Sequence, residues 1–338
     1  MGTVRQPGNG QAGQPGDLQL RLLGPVELLA GGRPVDCGPA RQRTVLAALG
    51  VDAGRLVPQD LLIARVWGDA PPPGVRSGLY SYVTRLRRVL HAAGAPGSAA
   101  GLVSCPGGYL LELDPATVDL ILFRRLTRAA RQARPGPAAL GLLDGALALW
   151  RGPALAGLTS TWASTTRDLL EQRRVDAVLG WARAHLDGGR PGTVIGALRD
   201  LLPRHRLVEP LAARLIEALY ADGRAAEALD CYAGVRAHLV AELGTEPGTE
   251  LRQLHQAILR GDPAPAAPGA GLSAVVGTGL AEEGDLAGGG PAQAASRCAH
   301  HAVAQARPAR GPSGARRLPA AARRPAAAAR FRCRWASC

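Results

Sequence analysis

The stretch from Val75 to His91, VRSGLYSYVTRLRRVLH, constrains this chain more than any other. At 100° per residue it reads as a helix lying on a core: Leu79, Val83, Leu86 and Leu90 share one stripe, with Tyr82 and Val89 at its edge. Opposite them lie Ser77, Ser81, Thr84 and Arg88, with Arg85 and Arg87 on the shoulders and no carboxylate in between. Such a face suits a major groove. Arginine pairs with guanine O6 and N7, hydroxyls bond bases or phosphates, and no acid repels the DNA backbone. It also suits plain solvent on an ordinary amphipathic helix, so the neighbouring segments have to decide.

Those segments have a recognisable order. Residues 1–17 are Gly, Gln and Pro with little to bury, which predicts a disordered leader; its GNGQAG has neither the preceding strand nor the following helix of a phosphate-binding turn. From Leu18, LQLRLLG and VELLAGGRPVDCG read as strands, with a hairpin turn at Gly31-Gly32. PARQRTVLAALGV follows as a helix burying Val45, Leu46 and Leu49, then PQDLLIARVWG as a second helix burying Leu61, Leu62, Val66 and Trp67. APPPG forces a break before the Val75 helix, and LVSCPGGYLLEL after it reads as a hairpin around Pro106-Gly107-Gly108. A sheet, three helices with the arginine-bearing one third, and a closing hairpin make the order of a winged helix-turn-helix. In that arrangement the third helix enters the groove and the wing lies on the flanking backbone.

After Asp114-Pro115 strand signals stop, and seven segments with three-to-four spacing run from Asp119 to Arg260. Gly189-Arg190 recurs as Gly223-Arg224, with Trp181 matching Leu215, Leu186 matching Tyr220, Val194 matching Ala228 and Leu198 matching Tyr232. A 34-residue shift is the length of a tetratricopeptide repeat. The fold class expected is thus an α+β winged helix followed by an all-α, TPR-like helical domain. The expected boundaries are 18–115 and 119–263, with a disordered Ala/Pro/Arg-rich tail at 264–338.

Charge adds less than its sum suggests. The net charge is +13, but residues 1–115 hold 11 Arg against 8 acids, 116–263 hold 19 against 16, and the tail 10 against 3. Local placement of arginine, rather than total charge, must therefore carry any case for nucleic acid. There is no lysine at all, a pattern that also follows from GC-rich coding. Six scattered cysteines without a C-x-x-C pair argue against a zinc finger and against a disulfide framework, and the spacing of Cys298, His300, His301, Cys333 and Cys338 matches no common metal site. No apolar run reaches membrane-spanning length and the N-terminus lacks the apolar centre of a signal peptide, so a cytoplasmic location is expected.

LRLLGPVEL, PARQRTVLAAL, LIARVWGDAPP, SYVTRLRRVL and PGGYLLEL, in this order, resemble the OmpR-type winged helix of the actinobacterial antibiotic regulatory proteins, the SARP family. ALALWRGPALAGL and the block from Glu209 to Pro263 resemble the bacterial transcriptional activation domain that follows it in that family. The resemblance covers roughly residues 18–263 and implies a DNA-binding transcriptional activator of a secondary-metabolite gene cluster. Implied partners are tandem repeats of promoter DNA, a second copy of the chain on that DNA, and RNA polymerase. It implies base contact at Arg85, groove-facing Ser81 and Thr84, and Arg87 and Arg88 near phosphate or helix packing. The candidate DNA contacts are Arg76, Ser77, Ser81, Thr84, Arg85, Arg87 and Arg88 on the helix, and Gly107 and Gly108 on the wing. One departure stands out. Where relatives carry a minor-groove arginine four residues before the wing tyrosine, this chain has Cys105, which predicts a weaker preference for A·T tracts.

Without lysine, the G-x-x-x-x-G-K-[ST] loop of the ATPase module found in larger relatives is absent. No cofactor and no catalytic set are expected: His185 and His205 fall in or beside helices, and Ser160, Thr161, Thr165 and Thr166 read as a capping turn. Two other readings stay open. One is a repeat-type scaffold whose winged helix binds protein, and the other a regulator with a small molecule on the concave side of the repeats.

Overall fold

The computed structural model describes residues 18–94 and 101–262; the expected leader and tail lie outside them. Strands β1 (Leu18–Arg21), β2 (Glu27–Ala30) and β3 (Arg33–Val35) form an antiparallel sheet in sequence order. Gly31 and Gly32 both have positive φ, 55° and 79°, the requirement of a two-residue hairpin turn that matches strand twist. Helices α1 (Ala40–Gly50), α2 (Gln59–Trp67) and α3 (Val75–Ala93) follow. A second antiparallel sheet has the order β4 (Leu56–Pro58), β6 (Gly108–Glu112), β5 (Gly101–Cys105).

The strand β4 is absent from the sequence reading. It is three residues long and ends in proline, and its partner β6 lies some fifty residues away, so no local pattern announces it. A second difference is in α2, where Ile63 is buried and Leu61 is 43 % exposed. Among the described cysteines, Cys37 and Cys231 are free thiols and Cys105 is disulfide-bonded.

Among the described residues seven α-helices follow: α4 (Asp119–Gln132), α5 (Pro137–Leu147), α6 (Thr161–Asp187), α7 (Pro191–Leu201), α8 (Glu209–Ala221), α9 (Ala225–Leu243) and α10 (Thr249–Arg260). Ser160 caps α6 by accepting from the Ala163 amide at 3.2 Å, so Thr161, Thr165 and Thr166 lie inside the helix rather than before it. The α6–α7 and α8–α9 connections are copies of one another 34 residues apart. Gly189 and Gly223 take φ of 66° and 78°, and the Arg190 and Arg224 amides each donate to the carbonyl five residues back at 2.9 Å. The paired positions Val194 and Ala228 are fully buried, and Leu198 and Tyr232 nearly so.

Salt links reinforce the second turn. Glu227 takes both nitrogens of the Arg224 fork and also Arg199 on α7, and these bonds hold its carboxyl pKa down at about 2. With a folded pKa below the unfolded one, this contribution is complete above the ordinary carboxylate value and is lost as pH falls toward the folded pKa. An NMR titration of the Glu227 carboxyl is expected to show no protonation at pH 4; a midpoint near 4.5 would remove the link.

Packing does not divide where the secondary structure does. The first core joins Leu20, Leu22, Leu46, Leu62, Leu79 and Leu86 of the winged helix to Phe123, Ala146, Leu155 and Leu170 of the helical half. A second core, beginning with Val175 on α6, takes α7 to α10. The single helix α6 belongs to both.

The join is stitched by backbone as well as side chains. The amides of Arg151, Leu155 and Ala156 donate to the carbonyls of Leu23, Leu22 and Gly24 at 2.9–3.0 Å. Leu155 is buried at φ 53°, a left-handed conformation costing a leucine about 1–3 kcal/mol, which the surrounding contacts must enforce. The Asp119 carboxylate, itself buried, accepts from the amides of Leu22 at 2.7 Å and Leu23 at 3.0 Å and meets Arg151 at 3.3 Å. Burial pushes its pKa up, and these three donors oppose that shift.

Candidate nucleic-acid interface

The helix α3 lies on the first core through Leu79, Val83, Leu86 and Leu90, each at most 1 % exposed, with Tyr82 and Val89 partly buried beside them. Each such side chain stabilises the helix by about 1.5–3 kcal/mol. The outward face is thereby fixed in rotation. It presents Arg76, Ser77, Tyr80, Ser81, Arg85 and Arg88 to solvent, with no acid on the helix.

The four arginines are not equivalent. Arg76 makes an exposed ion pair with Asp60 in the first turn of α2 at 3.2 Å. Arg87 turns toward the wing, its Nε donating to the Leu102 carbonyl at 2.6 Å and its Nη2 to Ser104 Oγ at 2.7 Å. Its guanidinium is thus engaged in holding β5 against α3. That leaves Arg85 and Arg88, which have neither an ion pair nor a hydrogen bond through the side chain among the described residues.

The hydroxyls also separate. Ser81 Oγ donates to the Ser77 carbonyl one turn back at 3.0 Å, and both serines remain exposed. Thr84 is only half-exposed, and its hydroxyl is buried without a hydrogen-bond partner among the described residues, so it does not stand out on the open face as expected. Conversely Tyr80, 61 % exposed, was missed. An aromatic residue suggests a core, yet Tyr80 lies three residues after Ser77 and one before Ser81, and that arc position was the available signal.

In the wing, Pro106 and Gly107 form the turn between paired Cys105 and Gly108, and Gly107 has the φ of 83° that a proline-glycine turn needs at its second position. Gly107 is exposed at the tip; Gly108 is buried. A Cβ on Gly108 would lie 2.2 Å from the Val57 carbonyl oxygen, so this glycine lets β4 approach β6. Its place is under the wing, not on its surface.

His185, at the end of α6, is buried. It packs edge-on against Trp181, and neither ring nitrogen has a hydrogen-bond partner among the described residues. Burial lowers its pKa and favours the neutral ring. No group of three or more metal-ligating side chains occurs among the described residues, and no described helix is long and apolar enough to cross a membrane.

Comparison with known proteins decides the family. Residues 118–259 match the bacterial transcriptional activator domain. The transcriptional regulator RedD of Streptomyces coelicolor is 35% identical over 260 residues, 75% of this chain and 74% of RedD. The regulatory protein DnrI of Streptomyces peucetius is 33% identical over 258 residues, 73% of this chain and 93% of DnrI. The chain belongs to the SARP family of transcriptional regulators. This SARP protein is also 36% identical to the transcriptional regulatory protein EmbR of Mycobacterium tuberculosis, of which it spans 64%. The solved structure of that EmbR in complex with a low affinity phosphopeptide matches 73% of the SARP chain and 66% of its own, with a TM-score of 0.67. A winged-helix N-terminal part followed by a helical domain fits that neighbour.

Proposed function

We propose that this SARP protein is a sequence-reading transcriptional activator of a secondary-metabolite gene cluster. In this reading α3 enters the major groove and the helical half pairs protomers on tandem promoter repeats and contacts RNA polymerase. The observation that supports it most is the division among the arginines of α3: Arg85 and Arg88 stand exposed and unpaired on an acid-free face while Arg87 braces the wing. The 34-residue recurrence of one turn geometry supports a TPR-like reading of the helical half, a fold suited to protein partners. Within this reading Arg85 reads a base edge, helped by Ser77, Tyr80 and Ser81, and Arg88 contacts phosphate. Arg76 and Gly107 lie at the margins.

Fluorescence anisotropy of the full chain on promoter and scrambled duplexes, across a salt series, tests this. For Arg85→Ala the expected loss is about 1–3 kcal/mol concentrated at one base position. Arg88→Ala is expected to weaken all sequences evenly and reduce the salt slope by about one. Arg87→Ala should lower thermal stability before it touches specificity. Equal, sequence-independent losses at Arg85 and Arg88 would reject the division of labour, and equal weak binding of both duplexes by the unaltered chain would reject DNA reading altogether.

A further inference from the structure

A cleft of about 340 Å³ opens where the connection between α1 and β4 faces α4. Arg55 stands on the winged-helix wall, and Arg124, Arg125 and Arg128 stand on the helical wall. The acid in its lining, Asp52, is already taken: its Oδ2 lies 2.5 Å from Arg65 Nη1. Arg55, Arg125 and Arg128 have no carboxylate partner among the described residues.

Arg124 is the unusual member. Its Nη1 donates across the join to the Val51 carbonyl at 3.2 Å, but its Nε is buried and has no acceptor among the described residues. Buried donors without partners are rare in folded proteins. Burial, with Arg173 and Arg55 close by, weakens this guanidinium's hold on its proton, and the Asp52 carboxylate opposes them only in part. An anion in the cleft would supply the counter-charge that Arg55, Arg125 and Arg128 lack.

We propose that this cleft between the two halves binds a small phosphate-bearing molecule. Guanidinium forks converging from opposite walls suit the several oxygens of a phosphate better than the single edge of a carboxylate. The volume leaves room for an organic body beyond the phosphate, against Val51, Ala53 and Ile121. The cleft is not an extension of the wing tip. The Gly54 amide beside it bonds Leu111, four residues along β6 from the Gly107 turn, roughly 13 Å at 3.3 Å per residue. The proposal holds whether or not α3 reads DNA.

Isothermal titration of the full chain with inorganic pyrophosphate, against sodium chloride of equal ionic strength, is the test. Saturable binding is expected with pyrophosphate only. Arg125→Gln, Arg128→Gln and, from the opposite wall, Arg55→Gln should each weaken it roughly tenfold, while Arg88→Ala on α3 leaves it unchanged. The three glutamine sites are exposed, so an unaltered circular dichroism spectrum is expected. Saturating duplex DNA should not displace pyrophosphate. Absence of saturable heat, unchanged affinity in the glutamine variants, or displacement by DNA, which would make the cleft part of the DNA track, would each overturn the proposal.

Discussion

Replacing Asp119 with alanine is expected to destabilise the protein by about 3–5 kcal/mol, because it orphans two buried backbone amides and removes one of the two carboxylates that meet Arg151. The amides belong to Leu22 and Leu23, whose residues are fully buried, so water cannot replace the lost carboxylate. Arg151 keeps Glu27 at 2.7 Å, which limits the electrostatic share of the loss and puts most of it on the backbone. Asp119→Asn retains one acceptor oxygen and should lose about half as much. Urea unfolding read by far-ultraviolet circular dichroism measures both. A loss below about 1 kcal/mol for the alanine variant would mean that solvent reaches the join and that the carboxylate does not organise it.

Gly108→Ala is expected to destabilise by about 3 kcal/mol, the upper end of the range for overpacking. The new Cβ would lie 2.2 Å from the Val57 oxygen, 2.9 Å from the Val57 carbonyl carbon and 3.0 Å from Pro58 Cα, all backbone atoms that cannot rotate aside. To relieve the clash β4 must separate from β6, and the wing loses its central pairing. Gly107→Ala makes a useful contrast. Its Cβ meets nothing, and the loss is confined to the strain of φ 83°, about 1 kcal/mol. Thermal melts of the two variants should therefore rank with Gly108→Ala well below Gly107→Ala; the reverse order would show that the turn, not the strand approach, governs the wing.

What was legible in the sequence is what depends on neighbours along the chain. The four-residue stripe of α3 and the seven helices of the second half each follow from periodicity, which is a local property. The 34-residue shift was visible because the helix turn demands a glycine at positive φ in both copies. What was hidden depends on partners far away. The strand β4 exists only through β6, Arg87 is diverted only because Leu102 and Ser104 come beside it, and Gly108 is small only because Val57 passes over it. The different partners of the arginines of α3 are therefore a tertiary fact. A helical wheel gives their directions but not their partners.

The shared helix α6 bears on how such regulators can be recombined. Because Leu170 and Ala177 belong to the core that also contains the winged helix while Val175 and Val178 belong to the core of the later helices, no cut between residues 115 and 119 yields two pieces that each keep a complete interior. If α3 reads DNA as proposed, transplanting a specificity from one relative to another is thus better done by grafting the outward side chains of α3 than by exchanging the winged helix as a cassette. The same geometry makes the spacing between the outward face of α3 and the helical half a built-in ruler, set by a 27-residue rod rather than by a linker whose length can drift.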